Sequence, residues 1–303
     1  MNYSKTIING ILLLDKPKGL SSNRALGWTK KIFNAKKAGH AGTLDPLATG
    51  ILPILFGEAT KFAEFGLDSD KRYFADIYLG TKTSTGDVEG EVNEKKSFNK
   101  DINVVKILDS FIGMQYQLPP MYSALKHQGK PLYKYARAGQ EIKRNRRCID
   151  IKSIKLVSLK NSFLRIDVTC SKGTYIRTLA EDIGEKLGSC AHLYNLRRVG
   201  VGIFDIDQSI NINKLELLAS SKADVLSHKL RPVDSFINHW PLMQLNVQQE
   251  KKFLNGQPIR VSPYNQRNEN EYLVRVYGFS NDFLGTAQMI NKEILRPKRL
   301  ISK

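Results

Sequence analysis

Cysteine is scarce in this chain and falls into no pattern. Cys148, Cys170 and Cys190 are an odd set with no C-x-x-C pair, which argues against a disulfide framework and against a structural zinc site. They read as small apolar side chains, and no metal is expected. Long apolar runs are missing too. The longest, at residues 11–14 and 51–56, are of strand length, whereas a membrane span takes roughly 18 residues or more. Asn9 and Gly10 interrupt the apolar residues near the start, and Asp15 and Lys16 follow without a small-residue cleavage site. No secretory signal is therefore expected, and the cytoplasm is the expected location. Acidic side chains are few: 29 Asp+Glu against 47 Lys+Arg leave a formal net charge of +18. Neutralising phosphates and releasing their counterions is the direct use of such a field. Composition alone does not separate RNA, DNA, an anionic membrane and a merely soluble basic surface.

What is present suits a globular protein of 303 residues, 41% hydrophobic, long enough for two domains or for one large domain with an appendage. Residues 10–14 and 51–56 read as buried strands, with Ser21 and Ser22 offering an N-cap for a helix between them. Lys30, Lys31, Lys36 and Lys37 near that helix's end serve either as complement to its dipole or as RNA contacts. Gly57 to Thr60 open a short helix, and Lys71 to Gly80 a strand with Tyr73, Ala75, Ile77 and Leu79 on one face. Gly86, Asp87 and Gly90 mark turns. A packing helix is expected from Asp101 through Val104, Leu108, Phe111 and Ile112. Residues 163–170 alternate as a half-buried strand and run into a helix marked by Ile176, Leu179, Ala180, Ile183 and Leu187. Arg177 would then stand in a first helical turn, where a cation opposes the dipole and asks for a local anion, and Asp45 is the obvious candidate. Leu193, Leu196 and Val199 lead through Arg197 and Arg198 into a strand over 200–204, and a helix follows around 214–226. From about Arg231 short strands separated by Gly, Pro and Asn, including KFLNGQPIRV, EYLVRVYG and FLGTAQMI, read as a small β-barrel.

Two stretches carry chemistry. In His40-Ala41-Gly42-Thr43-Leu44-Asp45-Pro46-Leu47-Ala48-Thr49-Gly50 a single carboxylate stands among residues otherwise stripped of acid and base. Pro46 pushes Asp45 out of the helical region, and glycines on both sides permit close backbone approach to a ligand. Asp-Pro also starts many helices as N-cap and N1, so the residues alone leave both readings open. The second stretch holds eight Lys or Arg from Lys126 to Arg147 against one acid, Glu141, interleaved with Tyr122, Tyr133 and Tyr135. Cations supply phosphate contacts and Tyr rings stack on unpaired bases, while a solvated charged loop has the same composition.

GILLLDKPKGLSS (10–22), AGHAGTLDPLATGILP (38–53) and GEATKFAEFGLDSDKRY (57–73), with further matches over 118–138 and 171–199, resemble the successive signatures of the TruB-type tRNA pseudouridine synthases. The resemblance implies an α+β fold with a mixed, mainly antiparallel sheet and packed helices, the pseudouridine synthase fold, over residues 1–229. A PUA-like RNA-binding β-barrel over 230–303 is implied more weakly. The implied reaction is isomerisation of uridine 55 in the TΨC loop of tRNA, with no cofactor and no metal. Asp45 matches the family's nucleophile and Arg177 its partner, which would hold the carboxylate in its charged form. Tyr73, Tyr175 and Leu196 match positions lining the base pocket, where Tyr73 read alone is equally a core residue with its hydroxyl satisfied. His40 matches a position touching the substrate arm, although a His beside Gly also serves to hydrogen-bond a loop backbone. Lys126, Lys130, Lys143, Arg144, Arg146 and Arg147 are candidates for the RNA backbone. Whether Asp45 attacks C1′ or C6 stays open. Guide-RNA-dependent relatives carry extended basic tails that this chain lacks, so a stand-alone monomer is expected, without guide RNA or protein partner. Two rival functions stand against this one. A zinc nucleobase deaminase would need H-x-E and P-C-x-x-C, which are absent, and a non-catalytic RNA-binding protein on the same scaffold would dispense with Asp45.

Overall fold

Apolar residues recurring every second position from Lys71 onward form a strand buried on one face, and that strand lies in the middle of a large sheet. The computed structural model describes residues 5–99, 101–221, 226–262 and 271–302. Its strands are β1 (Gly10–Lys16), β2 (Ala38–His40), β3 (Thr49–Phe56), β4 (Lys71–Leu79), β5 (Thr81–Thr83), β6 (Val92–Lys95) and β7 (Gly113–Gln117). There follow β8 (Lys126–His127), β9 (Lys130–Pro131), β10 (Arg147–Lys160), β11 (Phe163–Cys170), β12 (Ala191–Val201), β13 (Phe204–Asp205) and β14 (Ile210–Asn211). Ten of them make one sheet in the order β14-β1-β3-β12-β4-β11-β10-β7, with β2 on β3 and β13 on β12. Only β1 with β14 and β3 with β12 run parallel, so the sheet is mixed and mainly antiparallel, as expected.

Helices α1 (Ser22–Ile32), α3 (Val104–Asp109), α5 (Ile176–Lys186) and α6 (Ile212–Ser221) pack on the inward face, α2 (Ala63–Asp68) lies on the opposite one with Ala63 and Phe65, and α4 (Leu132–Ala136) follows the β8–β9 hairpin. Ser21 caps α1 by accepting from the Arg24 N–H. On β4 the inward residues Tyr73, Ala75, Ile77 and Leu79 meet Leu164, Ile166 and Val168 of β11 and Ile176, Leu179 and Ile183 of α5 in the main core. Burying each such Leu or Ile contributes about 1.5–3 kcal/mol. The opposite face of β1 and β3 buries Ile11, Leu13, Ile51 and Leu55 against Phe204 and Phe236. Among the described residues no helix is long and apolar enough to cross a membrane.

Three local expectations change and one is met as far as the described residues go. The helix expected from Asp101 starts later, because the Asn103 side chain takes the cap by accepting from the Lys106 N–H; Phe111 and Ile112 lie beyond its end. Leu193 to Val199 do not precede a strand but belong to one, β12, whose alternation is reset by irregularities near Leu193/Asn195 and Arg198/Gly200. The helix expected over 214–226 is seen as α6, and residues 222–225 lie outside the described residues. Cys148 is exposed rather than packed, whereas Cys170 and Cys190 are buried.

Past residue 238 a second sheet runs β15 (Leu242–Gln244), β17 (Glu271–Tyr277), β18 (Phe283–Ile290), β19 (Ile294–Leu300) and β16 (Ile259–Arg260), curled as a PUA-like module requires. Phe253, expected in a strand, instead lies near the end of the helix Val247–Leu254, which an Asn246/Gln249 capping box starts. The segment leading to the second sheet is tied to the first, where Arg231 exchanges backbone hydrogen bonds with Ile11 at 2.8 and 2.9 Å, and the two sheets meet beyond it. Phe62 meets Phe283 at 5.5 Å between ring centroids and Phe65 meets Trp240 at 5.0 Å. Lys61 donates to the Leu300 carbonyl, and the Ser302 N–H donates to Glu58.

Candidate active site

Asp45 is placed by its neighbours rather than by a helix. The Leu44 N–H donates to Ser22 Oγ at 2.7 Å and Ser22 Oγ donates back to the Leu44 carbonyl at 3.0 Å, so the first residue of α1 grips the residue before the carboxylate. The Ala48 N–H then closes a turn onto the Asp45 carbonyl at 3.1 Å. No helix starts at Pro46, and the N-cap alternative for Asp45 falls away. Leu44, Leu47 and Ala48 are buried beneath the turn. Gly50 makes the close return possible. It has φ +106°, and a Cβ there would stand 2.1 Å from the Arg198 carbonyl oxygen.

Arg177 comes from the first turn of α5. Its Nη2 lies 3.0 Å from Asp45 Oδ2 and its Nε lies 3.8 Å from Asp87 Oδ2. The remaining donors go to backbone carbonyls, Thr85 at 3.2 Å and Tyr122 at 2.7 Å. Two carboxylates thus answer the demand for an anion that a cation at a helix start makes. Asp87 is sealed, accepting from Thr85 Oγ1 at 2.6 Å and from the Glu89 N–H at 3.1 Å. Both carboxylates border a cleft of about 810 Å³, within the size range of small-molecule sites, but the Asp45 side chain is 38% exposed and that of Asp87 only 6%.

The cleft gathers His40, Asp45, Tyr73, Tyr175, Arg177 and Leu196. Tyr73 and Leu196 present buried faces from adjacent strands. Tyr175 is the residue before α5, its backbone held on both sides by the Gln117 amide, at 2.8 and 3.1 Å. His40 Nδ1 is buried without a hydrogen-bond partner among the described residues, so the loop-backbone role is not what holds it. Of the six backbone candidates, Lys143, Arg146 and Arg147 are exposed, and Lys126 and Lys130 sit on the β8–β9 hairpin, with Lys130 4.4 Å over the Tyr135 ring. Arg144 is different: its two Nη donate to Glu141 and to the Pro119 carbonyl inside the segment, and its Nε is buried without a hydrogen-bond partner among the described residues. None of the six lines the cleft, whereas Tyr122, Tyr133 and Arg137 of the same basic stretch do.

Burial dominates the electrostatics. It pushes the Asp45 carboxyl above the ordinary range, Arg177 opposes it, and the nearby charge of Asp87 adds to the rise. The expectation that the Arg partner sets the direction is corrected on this point: Arg177 does favour the charged form, and desolvation outweighs it. Burial lowers His40, helped by Arg198, so its ring is neutral at neutral pH. Burial pushes Tyr73 up to about 12 and raises Tyr175. Lys16 and Lys71, both deeply buried, fall to about 8 through desolvation. Their ammonium groups bind backbone carbonyls, Lys16 those of Pro17 and Leu20, Lys71 those of Gly66, Leu67 and Ser69.

Asp87, Lys71 and Arg198 stand outside the site expected from sequence. Asp87 reads as part of a turn between glycines, and no local pattern says that the turn folds under Arg177. Arg198 alternates with Leu196 on one strand, a spacing that a core reading absorbs.

The profile described as TruB family pseudouridylate synthase (N terminal domain) matches residues 30–176. Those for the tRNA pseudouridylate synthase B C-terminal domain and for pseudouridine synthase II TruB, C-terminal, match residues 177–238 and 241–301. A protein of Burkholderia mallei named tRNA pseudouridine synthase B is 45% identical over 301 residues, covering 98% of both chains. One of the same name from Nitrosococcus oceani is 46% identical, over 97% of this chain and 95% of its own. Among solved structures, that of an H/ACA ribonucleoprotein bound to a substrate RNA containing 2′-deoxyuridine aligns with a TM-score of 0.74 at 21% identity, over 98% of this chain and 86% of that one.

Proposed function

The chain belongs to the TruB family and is a tRNA pseudouridine synthase, and we propose that Asp45 is its nucleophile, acting on uridine 55 in the TΨC loop. The observation that carries this reading is the 3.0 Å pair of Asp45 and Arg177 at the cleft, where one carboxylate is open to a ligand and its neighbour Asp87 is closed off. The reaction is an isomerisation. The bond from N1 to C1′ breaks, the uracil turns, a bond from C5 to C1′ forms, the C5 proton leaves and N1 takes one up. An ionised carboxylate held by a guanidinium supplies the nucleophile, whether at C1′ or at C6. Tyr73, Tyr175 and Leu196 supply flat and apolar walls for a base taken out of its stack. His40, neutral and with its Nδ1 buried and unpartnered among the described residues, supplies a hydrogen-bonding group to the cleft.

In the same reading the enzyme is a stand-alone monomer of the cytoplasm. Lys126, Lys130, Lys143, Arg146 and Arg147 meet tRNA phosphates, and the C-terminal sheet adds RNA surface. The packing of Arg231 and Phe236 on the first body supports a division between the two units near residue 240, later than the expected boundary at 229. Mapping modified uridines in total tRNA with and without the protein tests the whole: one new pseudouridine in the TΨC loop is the expected result, and none, or a scatter over many sites, refutes it.

A further inference from the structure

Helix α5 begins without a cap of its own. Tyr175 stands at its N-cap and offers no side-chain bond, and no acid lies in the first turn, although that turn carries the buried cation of Arg177. What holds the helix start comes from a distant strand. Gln117, the last residue of β7 and only 4% exposed, accepts from the Tyr175 N–H at 2.8 Å and donates to the Tyr175 carbonyl at 3.1 Å. That carbonyl also accepts the first bond of the helix, from the Leu179 N–H at 3.0 Å, so both its lone pairs are engaged. An amide used at both ends has a single orientation, because turning it over would set donor against donor and acceptor against acceptor. Arg177 closes the ring by donating to the Tyr122 carbonyl at 2.7 Å, so the segments 117–122 and 175–177 are joined at both ends.

We propose that Gln117 is a positioning residue whose amide fixes where α5 begins and so aims the Arg177 guanidinium at Asp45. The guanidinium has to meet Asp45 at 3.0 Å, Asp87 at 3.8 Å and the carbonyls of Thr85 and Tyr122 together. A planar fork meets such a set from one place only, and the backbone of the first turn sets that place. Gln117 is not among the residues that line the cleft and touches no substrate. The inference rests on the reading of Asp45 as the nucleophile that Arg177 holds.

Gln117→Met keeps the length and bulk of the side chain and loses both bonds. Its single-turnover rate of pseudouridine formation at saturating tRNA should fall about 10²-fold, the cost of a small misplacement at the reacting centre, with tRNA affinity unchanged. The pH profile separates positioning from support. Around Asp45, burial and the charge of Asp87 raise the carboxyl, while Arg177 and Lys16 lower it. A guanidinium that has drifted lowers it less, so the acid limb of the rate should move to higher pH. A mere loss of folded protein scales the rate equally at every pH and leaves the limb in place. A Gln117→Met enzyme of full rate, or one whose rate falls while the limb stays put, overturns the inference. Gln117→Asn, whose amide is a methylene too short to bridge both groups, takes its place with the same two readings if the Met variant folds poorly. An Asp45→Asn enzyme that keeps its turnover overturns instead the reading beneath, whatever Gln117 does.

Discussion

Replacing Asp45 by Asn should abolish turnover without costing the fold. The two sides of the electrostatic balance can be set out from the ion pair itself. Across 3.0 Å the attraction of Arg177 comes to about 5 kcal/mol at an effective dielectric of ~20. Against it stands the removal of a carboxylate from water, several kcal/mol per ion. Both are discounted because the Asp45 side chain is 38% exposed to the cleft. The direction of the pKa decides between them. A carboxyl raised above its unfolded value of 3.8 contributes stability below that pH and loses it as pH rises through the folded value. At neutral pH the ionised Asp45 is therefore a net burden on the fold. Asn removes that burden, keeps the shape, and leaves Arg177 with Asp87 and two carbonyls. Stability should stay level or rise by up to about 1 kcal/mol, while the loss of a nucleophile lowers turnover by about 10⁴-fold or more. Release of tritium from C5-labelled uridine in a tRNA transcript reads the chemistry, and urea unfolding reads the fold. An Asn variant that keeps more than about a tenth of the turnover, or that loses about 3 kcal/mol of stability, refutes the reasoning.

Asp87→Asn should do the opposite to the fold: it leaves Arg177 with a weaker partner and weakens the hydrogen bonds that Thr85 Oγ1 and the Glu89 N–H donate to the carboxylate, a loss of about 2–4 kcal/mol in urea unfolding. Gly50→Ala forces a Cβ to 2.1 Å from the Arg198 carbonyl oxygen at φ +106°, and should destabilise by about 3 kcal/mol or more. Gly42→Ala meets Arg198 only at 3.3 Å and should be milder in the same assay. Charge reversal at Lys143, Arg146 and Arg147 should weaken tRNA binding and flatten its salt dependence by ~0.7–0.9 for each phosphate no longer neutralised, whereas Arg144→Ala should spare the slope, since that guanidinium already has partners. In a pH profile of single-turnover rate the acid limb should lie above the ordinary range of an Asp, because the Asp45 carboxyl is raised and must be ionised to react. A limb at or below pH 3.8 would assign it to another group.

Much of the sheet is written in local pattern. Every second residue of β4 from Tyr73 onward and of β11 from Leu164 onward is apolar, and both strands lie where that alternation puts them, because one face of each is buried. Asp45 stands out for a similar reason: a lone acid between glycines and before proline is legible as a special position. What stays hidden depends on meetings between distant segments. Arg177 pairs with Asp87 from a remote part of the chain, and Arg198 reaches back to Gly42 and Ile51 from further still. No period or turn signal reports such meetings. The C-terminal module shows the same limit on a smaller scale. Phe253 and Leu254 look apolar enough for a strand, yet a capping box several residues upstream commits them to a helix. Arg144 looks like its neighbours Lys143 and Arg146, and only the fold turns it inward to Glu141 and Pro119.

The hydrogen bond from Arg177 to the Tyr122 carbonyl ties the root of the basic arm to the guanidinium that holds the Asp45 carboxylate. The arm leaves the sheet after Gln117, and the guanidinium that holds Asp45 also pins the chain a short way further on. A displacement of the arm from Ser123 outward leaves that hydrogen bond in place. Motion short of the pin would pull Arg177 off its two carboxylates. If Asp45 is the nucleophile, a load carried beyond the pin leaves the carboxylate held, while one carried at the arm's root loosens it.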